Sequence, residues 1–560
     1  MDLTIRVAGE AGQGVQTTGN LLVATLAEMG LHVFATQSYM SRIRGGLNWF
    51  DVRIGDRPLF SGRETADLLV ALTPQALATL RPYVAQGGAV VFNGECEGAC
   101  IGIGLEAVAK EVGGSAVMAN AVAAGAVFTL LDYDAAPLTD YLRVRFKKKG
   151  AETVEKNVAC AEEGARRAAA RAGALRAPTP TGTPVTVASG TEAVGLAAAT
   201  AGVKFAASYP MTPATGVFTY LASVADEYGI VVEQAEDEIA AVNMVCGATY
   251  VGVPAMTTTS GGGFALMVEG LSLAGMLELP ILIMLSQRPG PATGLPTRTA
   301  QQDLLFAVHA GHGEFPRAIF APGTPEQAHR LTRRALETAH KWQSPAILIL
   351  DAFLADLVMD TPPLDTALRP IDRHILAEPP ANYVRYAVTE SGVSPRALPG
   401  SSAFVVVDSD EHTEDGHLTE DLEARVRLQD KRSRKAQGMR AEALAPERYG
   451  PQDAEALLVC WGSTYGPCRE AVDILAAAGA SVAMLHFAQV WPLDAAAVRK
   501  AMGLDGGAAG PKRVVSVEGN VGGQFAALLR QAVALADCEC VCKYDGMPFT
   551  GEEIAGRLKA

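Results

Sequence analysis

Thr212, Glu238, Thr257 to Ser260 and Arg288 are the residues of this chain best placed to do chemistry, because each follows an apolar, strand-like run. VKFAASYP leads into MTPAT, IVVEQAEDE reaches Glu238, VPAMTTTSGGG ends in hydroxyls and glycines, and LPILIMLSQRPGP carries Arg288. In an open parallel sheet the carboxyl ends of the strands line one crevice, and ligands bind there. Residues distant in sequence would then converge on one rim. A carboxyl, a guanidinium and hydroxyls brought together in this way describe an enzyme site.

Each residue also has a plainer reading. Thr212 sits between two prolines that fix the backbone around it, and it could equally cap the helix that follows. Glu238 opens a helix whose next residues are almost all apolar, surroundings in which a carboxyl is suited to holding a proton near neutrality. With Glu236 and Asp237 it could instead simply complement the helix dipole. Arg288 precedes Pro-Gly-Pro at the crevice mouth, where a guanidinium suits bidentate binding of a carboxylate or a structural ion pair. TTTSGGG offers hydroxyls and backbone amides at a helix start, an anion site in outline.

A second candidate lies at the amino end. The loop Gly9-Glu-Ala-Gly12-Gln-Gly14 stands between a strand (LTIRVAG) and a helix (QTTGNLLVATLAEMG), the context in which backbone amides hold a phosphate. Its spacing is not the dinucleotide fingerprint GxGxxG, and a tight turn that needs glycine is the alternative. Ser41, Arg42, Arg44, Gly45 and Gly46 would supply a cationic loop beside it.

These residues need layers of strand and helix to position them. At 560 residues the chain is too long for one core. Aromatics are only 6%, and strand-like and helix-like segments alternate throughout, which argues for α/β layers. The expected organisation is an α/β domain over 1–174, a Pro/Thr-rich linker at 175–186, and a second α/β domain over 187–360. An irregular connecting segment follows at 361–450, and a last α/β domain at 451–560. In the second domain strands are expected at 203–208, 230–235, 253–259, 280–286 and 346–351.

Other classes are excluded. A net charge of −14 leaves no basic excess to displace phosphate counterions, so nucleic acid is not expected as a partner; the run Arg145 to Lys149 reads as a solvated face. GLSLAGMLELPILIML is broken by Glu278 and Pro280, the start reads as a strand and not as a signal peptide, and a cytoplasmic, membrane-free location is expected. None of the nine cysteines forms a CxxC pair or ferredoxin run, and Cys538, Cys540 and Cys542 read as ordinary packing on one strand face. His412, Glu414 and His417 match no strong ligand motif. No metal site is expected on this chain.

The chain resembles the 2-oxoacid:acceptor (ferredoxin) oxidoreductase family, specifically an α subunit with a γ domain fused at its amino end. YPMTPAT resembles the family's Tyr-Pro-Ile-Thr-Pro signature, with Met211 in place of Ile. QAEDEIAAVNMVCGATYVGVPAMTTTSGGG and SQRPGPATGLPTRTAQQDL match in order and spacing, and DSDEHTEDGH with KRSRK resembles the segment beyond. WGSTYGPCREA, HFAQVWPL and SVEGNVGGQF look like a transketolase C-terminal-type domain. The opening loop resembles the γ domain's GxGGQG, with Ala11 where glycine is usual.

The resemblance implies several doubly wound parallel-sheet domains: γ-like, thiamine-pyrimidine-type and transketolase C-terminal-like. It implies oxidative decarboxylation of a 2-oxoacid, best matched to 2-oxoglutarate, on thiamine diphosphate, with CoA as acyl acceptor and ferredoxin as electron acceptor. Glu238 resembles the residue at the aminopyrimidine N1′, and Thr212 and Arg288 the pair that holds the substrate's 1-carboxylate and 2-oxo group. The second carboxylate of 2-oxoglutarate needs a further cation, Arg298 or a residue of a partner. Gly9, Gly12, Gln13, Gly14 and Arg44 become the candidate contacts to CoA. Mg²⁺ and a [4Fe-4S] cluster are expected on a separate β subunit, within an (αβ)2 assembly. Pyruvate or branched-chain 2-oxoacids, a CoA ligase or transferase drawing on His309 and His312, and a non-catalytic assembly subunit stand as alternatives.

Overall fold

The structure is a computed structural model that describes residues 1–42, 45–97, 100–505, 510–535 and 537–559. The chain divides into two compact units. One comprises Met1–Ala188 with Asp356–Pro363, the other Ser189–Ala355 with Leu364–Ala560.

The first unit is built on an eight-stranded sheet. Its order is Cys100–Gly102, Val84–Phe92, Ala66–Ala71, Asp2–Ala11, Gly45–Gly55, His32–Ser38, Val358–Asp360 and Val187–Ser189. Asp2–Ala11 runs parallel to Ala66–Ala71 but antiparallel to Gly45–Gly55, so this sheet is mixed. The strand Gly45–Gly55 carries inward charges that weaken its apolar signal. Arg6 and Asp51 face each other in register, and the guanidinium binds the carboxylate in a fork at 2.7 and 2.8 Å. The helix Val15–Glu28 packs its apolar side on the sheet. The Pro/Thr-rich stretch runs along this unit: Gly182 and Val185 donate backbone bonds to Met29 and Ala27.

The second unit holds two sheets. The seven-stranded sheet has the order Gln489–Trp491, Ala318–Phe320, Ala346–Asp351, Leu282–Gln287, Ala255–Thr259, Phe205–Ser208, Val231–Gln234. All its pairings are parallel except that of the edge strand Gln489–Trp491 with Ala318–Phe320. Leu282–Gln287 and Ala346–Asp351 are buried along their whole length, as the near-continuous apolar runs of a covered parallel sheet require. The five expected strands of this domain are present, each starting at or within two residues of its expected position. The chain passes from Phe205–Ser208 outward to Val231–Gln234, then back across to Ala255–Thr259. The strand order therefore reverses between Phe205–Ser208 and Ala255–Thr259, the point at which open α/β sheets bind ligands.

The five-stranded sheet has the order Glu447–Tyr449, Val482–Phe487, Ala456–Trp461, Arg513–Glu518, Glu539–Cys542, parallel apart from its first strand. The antiparallel contact of Phe320 and Ile319 with the Gln489–Trp491 strand joins it to the larger sheet. Among the residues expected to be irregular, Leu422–Ala441 forms a 20-residue helix. Its polar composition hides it from a periodicity test, because it is anchored by charge. Lys431 and Lys435, both fully buried, close on the buried carboxylate of Glu278. His412 is buried and stacks on Tyr386, whereas His417 is exposed beside Asp415. Among the described residues no single helix is long and apolar enough to cross a membrane.

Candidate active site

The carboxyl ends of the parallel strands place four loops on one rim of the seven-stranded sheet. The loop after Ser208 contains Thr212, joined to Pro213 by a cis peptide bond. The loop after Gln234 leads to Glu238, the one after Thr259 carries Ser260 to Gly263, and Arg288 directly follows Gln287.

Glu238 is the first residue of the helix Glu238–Tyr250. Asp237 is its cap, accepting from Ala240 N at 2.8 Å, and Glu236 is exposed. The dipole-complementing role thus belongs to Asp237, and Glu238 turns inward: its residue is 3% exposed, and its Oε1 is buried with no hydrogen-bond partner. It lies against the turn that starts the next helix. A Cβ added at Gly263 would stand 2.4 Å from Glu238 Oε1 and 2.2 Å from Thr259 Oγ1. Glycine is needed there because no side chain fits between carboxyl and helix. A buried acceptor without a partner costs about 1–3 kcal/mol, and such a group in a native fold calls for a ligand or other explanation.

Thr212 does not cap a helix. The helix Thr215–Ser223 begins at Ala214 with no side-chain cap. Arg288 forms no ion pair among the described residues; its Nη1 donates to the Thr212 backbone carbonyl at 2.6 Å. Partial burial pulls its pKa below the usual arginine range. The neighbouring residue Met211 meets Ser260 through a hydroxyl–sulfur contact. Below the rim Ser208 and Thr258 share a buried hydrogen bond at 3.1 Å, and Thr257 Oγ1 and Ser286 Oγ are buried without partners. The fold thus links Arg288 to the Thr212 loop, that loop to Ser260, and the Ser260–Gly263 turn to Glu238.

Two acids on this rim carry little sequence signal. Asp303 presses its carboxyl on Gly261, has a buried unpartnered Oδ2, and is pushed by burial to a pKa of about 6. Asp351 ends the strand beside Gln287, also raised to about 6 by burial, and receives bonds from Ser463 Oγ and Leu354 N. An acid closing a buried strand, as in AILILD, is the signal that reveals Asp351. Asp303 has none comparable.

In the first unit the glycine loop borders a cleft of about 600 Å³ lined by Gly12, Gly14, Gln16, Thr17, Arg42 and Trp49 among others. Gly14 caps the helix Val15–Glu28 at φ 79°, and a Cβ there would run into the Asn120 side chain. Gly9 and Gln13 shape the loop itself. Gln13 Oε1 accepts from Glu10 N at 2.8 Å and fills the space beside Gly9. Arg44 lies outside the described residues.

Comparison with known proteins gives consistent matches. Residues 4–167 match the family described as pyruvate ferredoxin/flavodoxin oxidoreductase, and residues 196–431 the family described as pyruvate flavodoxin/ferredoxin oxidoreductase, thiamine diP-bdg. The 2-oxoacid:ferredoxin oxidoreductase subunit alpha of a Sulfolobus sp. is 30% identical over 638 residues, covering 100% of this chain and 96% of that protein. The 2-oxoglutarate oxidoreductase subunit KorA of Mycobacterium tuberculosis is 28% identical, covering 100% of this chain and 91% of its own length. A solved 2-oxoglutarate:ferredoxin oxidoreductase from Magnetococcus marinus, with 2-oxoglutarate, coenzyme A and succinyl-CoA bound, superposes with a TM-score of 0.92. It is 32% identical, with 100% of this chain and 99% of that one covered.

Proposed function

This chain belongs to the 2-oxoacid:ferredoxin oxidoreductase family as an α subunit, and from that we propose that it oxidatively decarboxylates 2-oxoglutarate with CoA, passing electrons to ferredoxin. The single observation that carries the reading is Glu238, buried, unpartnered at Oε1, and seated against Gly263 at the point where strand order reverses. The relatives that act on 2-oxoglutarate support the substrate.

The residues present fit thiamine diphosphate. An acceptor with no protein partner and a glycine cradle beside it are what an aminopyrimidine edge requires, and Glu238 is the residue that would hold that edge, keeping a proton at its ring nitrogen. Bound thiamine diphosphate supplies the electron sink for cleaving the bond between C1 and C2 of a 2-oxoacid. Arg288 binds the substrate carboxylate, with its guanidinium already oriented by the Thr212 carbonyl. Thr212 orients the 2-oxo group with its hydroxyl. A hydrogen bond to a charged group of this kind is worth about 1.5–3 kcal/mol.

In the first unit Gly12 and Gly14 leave backbone amides open at a helix start, suited to the phosphates of CoA. Arg42 in the same cleft adds a cation. Gly9 and Gln13 support that loop from behind.

A partner subunit completes the site. Likeness to the family's α subunits supports assigning Mg²⁺ and the [4Fe-4S] cluster to a β subunit in an (αβ)2 assembly. Ile239 and Met244 on the helix that Glu238 opens, Leu266 on the helix that follows Ser260, and Phe306 packed on Phe264 leave apolar side chains exposed, the kind of surface a partner covers. The reading is tested by viologen dye reduction with CoA and each 2-oxoacid, using the chain purified alone and with its β subunit. Activity only in the complex, with 2-oxoglutarate preferred over pyruvate and branched-chain 2-oxoacids, supports it. Turnover by the isolated chain, or none by the complex, contradicts it.

A further inference from the structure

Arg288 does not hold its own position. Its backbone carbonyl accepts from Gln302 Nε2 at 3.0 Å, while the side chain before it, Gln287, accepts at Oε1 from Asp303 N at 2.9 Å. Two short segments, 287–288 and 302–303, are thereby stitched together by reciprocal side-chain-to-backbone bonds. Gln302 in turn is gripped by Gln524, the first residue of the helix Gln524–Val533. Gln524 Nε2 donates to the Gln302 carbonyl at 2.6 Å, and Gln524 Oε1 accepts from Leu305 N at 3.0 Å.

Both ends of the Gln524 amide are therefore engaged, and the loop that presents it is fixed as well. Asn520 donates to Gln301 O and to Glu518 Oε2, both at 2.9 Å, and Gln301 exchanges two bonds with Gly519, at 2.7 and 2.9 Å. Glu518 is fully buried and accepts from Phe525 N and Ala526 N at the start of the helix Gln524–Val533. A rigid chain of bonds runs from that helix start to the carbonyl of Arg288. The guanidinium of the same residue is pinned at its far end by Thr212.

We propose that Gln302 and Gln524 are positioning residues for Arg288, so that the loop 519–524 of the last domain sets the affinity for the 2-oxoacid. This rests on the reading that Arg288 binds the substrate carboxylate. Neither glutamine touches substrate in this account. Each acts by fixing the main chain from which the guanidinium projects, and a displacement of a fraction of an ångström weakens a bidentate contact whose geometry is strict.

The test uses the complex with its β subunit and four variants: Gln524→Leu, Gln524→Met, Gln302→Met and Arg288→Ala. KM is measured for 2-oxoglutarate and for CoA, and Kd for the unreactive 2-oxoglutarate mimic N-oxalylglycine by calorimetry. Losing the restraint is expected to raise the KM for 2-oxoglutarate and the Kd for the mimic about tenfold, the size of one hydrogen bond of about 1.4 kcal/mol. The KM for CoA should not move. In the Arg288→Ala background Gln524→Leu should add nothing further, since its effect passes through Arg288. A full additive effect there, or a parallel rise in both KM values with loss of melting temperature, overturns the proposal, because a general structural role predicts those results. If Arg288→Ala weakens the mimic and the glutamine variants do not, the positioning role fails alone. If Arg288→Ala itself has no effect, the carboxylate reading falls with it.

Discussion

Arg288 reaches across the strand ends to donate 2.6 Å to the backbone carbonyl of Thr212, 76 residues earlier in the chain. That bond spans the reversal in strand order and uses one edge of the guanidinium, leaving the rest to face a ligand. Replacing Arg288 by lysine, which cannot form a fork, should raise the KM for a 2-oxoacid by roughly tenfold to a hundredfold, equivalent to about 1.5–3 kcal/mol. Steady-state kinetics of the complex checks this, and an unchanged KM would remove Arg288 from the substrate site.

Gly263→Ala tests the cradle. The added methyl would overlap both Glu238 Oε1 and Thr259 Oγ1, and both groups are buried. Affinity for thiamine diphosphate, measured by calorimetry on the complex, should fall at least about tenfold, because overpacking here moves the carboxyl directly. Gly262→Ala is the control, since a Cβ at that position meets nothing within 4 Å.

Gly14→Val separates the two units. Its positive φ and the neighbouring Asn120 side chain both reject a side chain. The KM for CoA should rise about tenfold or more while the KM for the 2-oxoacid stays within about twofold. Gly12→Val meets no atom but has φ 92°, and should act in the same direction. If neither substitution changes the KM for CoA, the glycine loop is a turn and nothing more.

Asp303 gives a pH signature. Burial raises its folded pKa from 3.8 to about 6. The folded state therefore binds the proton more tightly than the unfolded chain. The stabilisation is complete below about pH 4 and is lost as pH rises through 6. Asp303→Asn removes the titration. The variant should gain on the wild type by about 2–3 kcal/mol between pH 4 and pH 7. Melting temperatures across that range provide the measurement, and a constant difference would contradict it.

Much of this was legible in the sequence, for identifiable reasons. Leu282–Gln287 and Ala346–Asp351 are buried, largely apolar runs, so the rule for parallel sheets places Arg288 at a strand end, and the shorter run before Thr212 follows the same rule; Val231–Gln234, the mostly exposed edge strand that leads to Glu238, carries a weaker apolar signal. Gly45–Gly55 is harder, because Asp51 and Arg53 interrupt it with charge that is explained only by their partners on the neighbouring strand, Arg6 and Asp2. The helix Leu422–Ala441 escaped for the opposite reason: its buried positions include Lys431, Arg432 and Lys435, which a hydrophobic period cannot detect. Gln524 was invisible as a functional residue, since its role depends on meeting Gln302 from more than two hundred positions away.

In the proposed function this sheet edge presents the buried carboxyl of Glu238 to the thiamine ring. Glu238→Gln nearly keeps the shape and volume of the side chain and replaces the ionisable carboxyl with a neutral amide. In the complex with its β subunit, the rate of CO2 release from 2-oxoglutarate should fall by at least about a hundredfold, the lower range for loss of a positioned acid–base group, with the melting temperature nearly unchanged. A rate within about threefold of the wild type would show that the Glu238 carboxyl has no part in the chemistry.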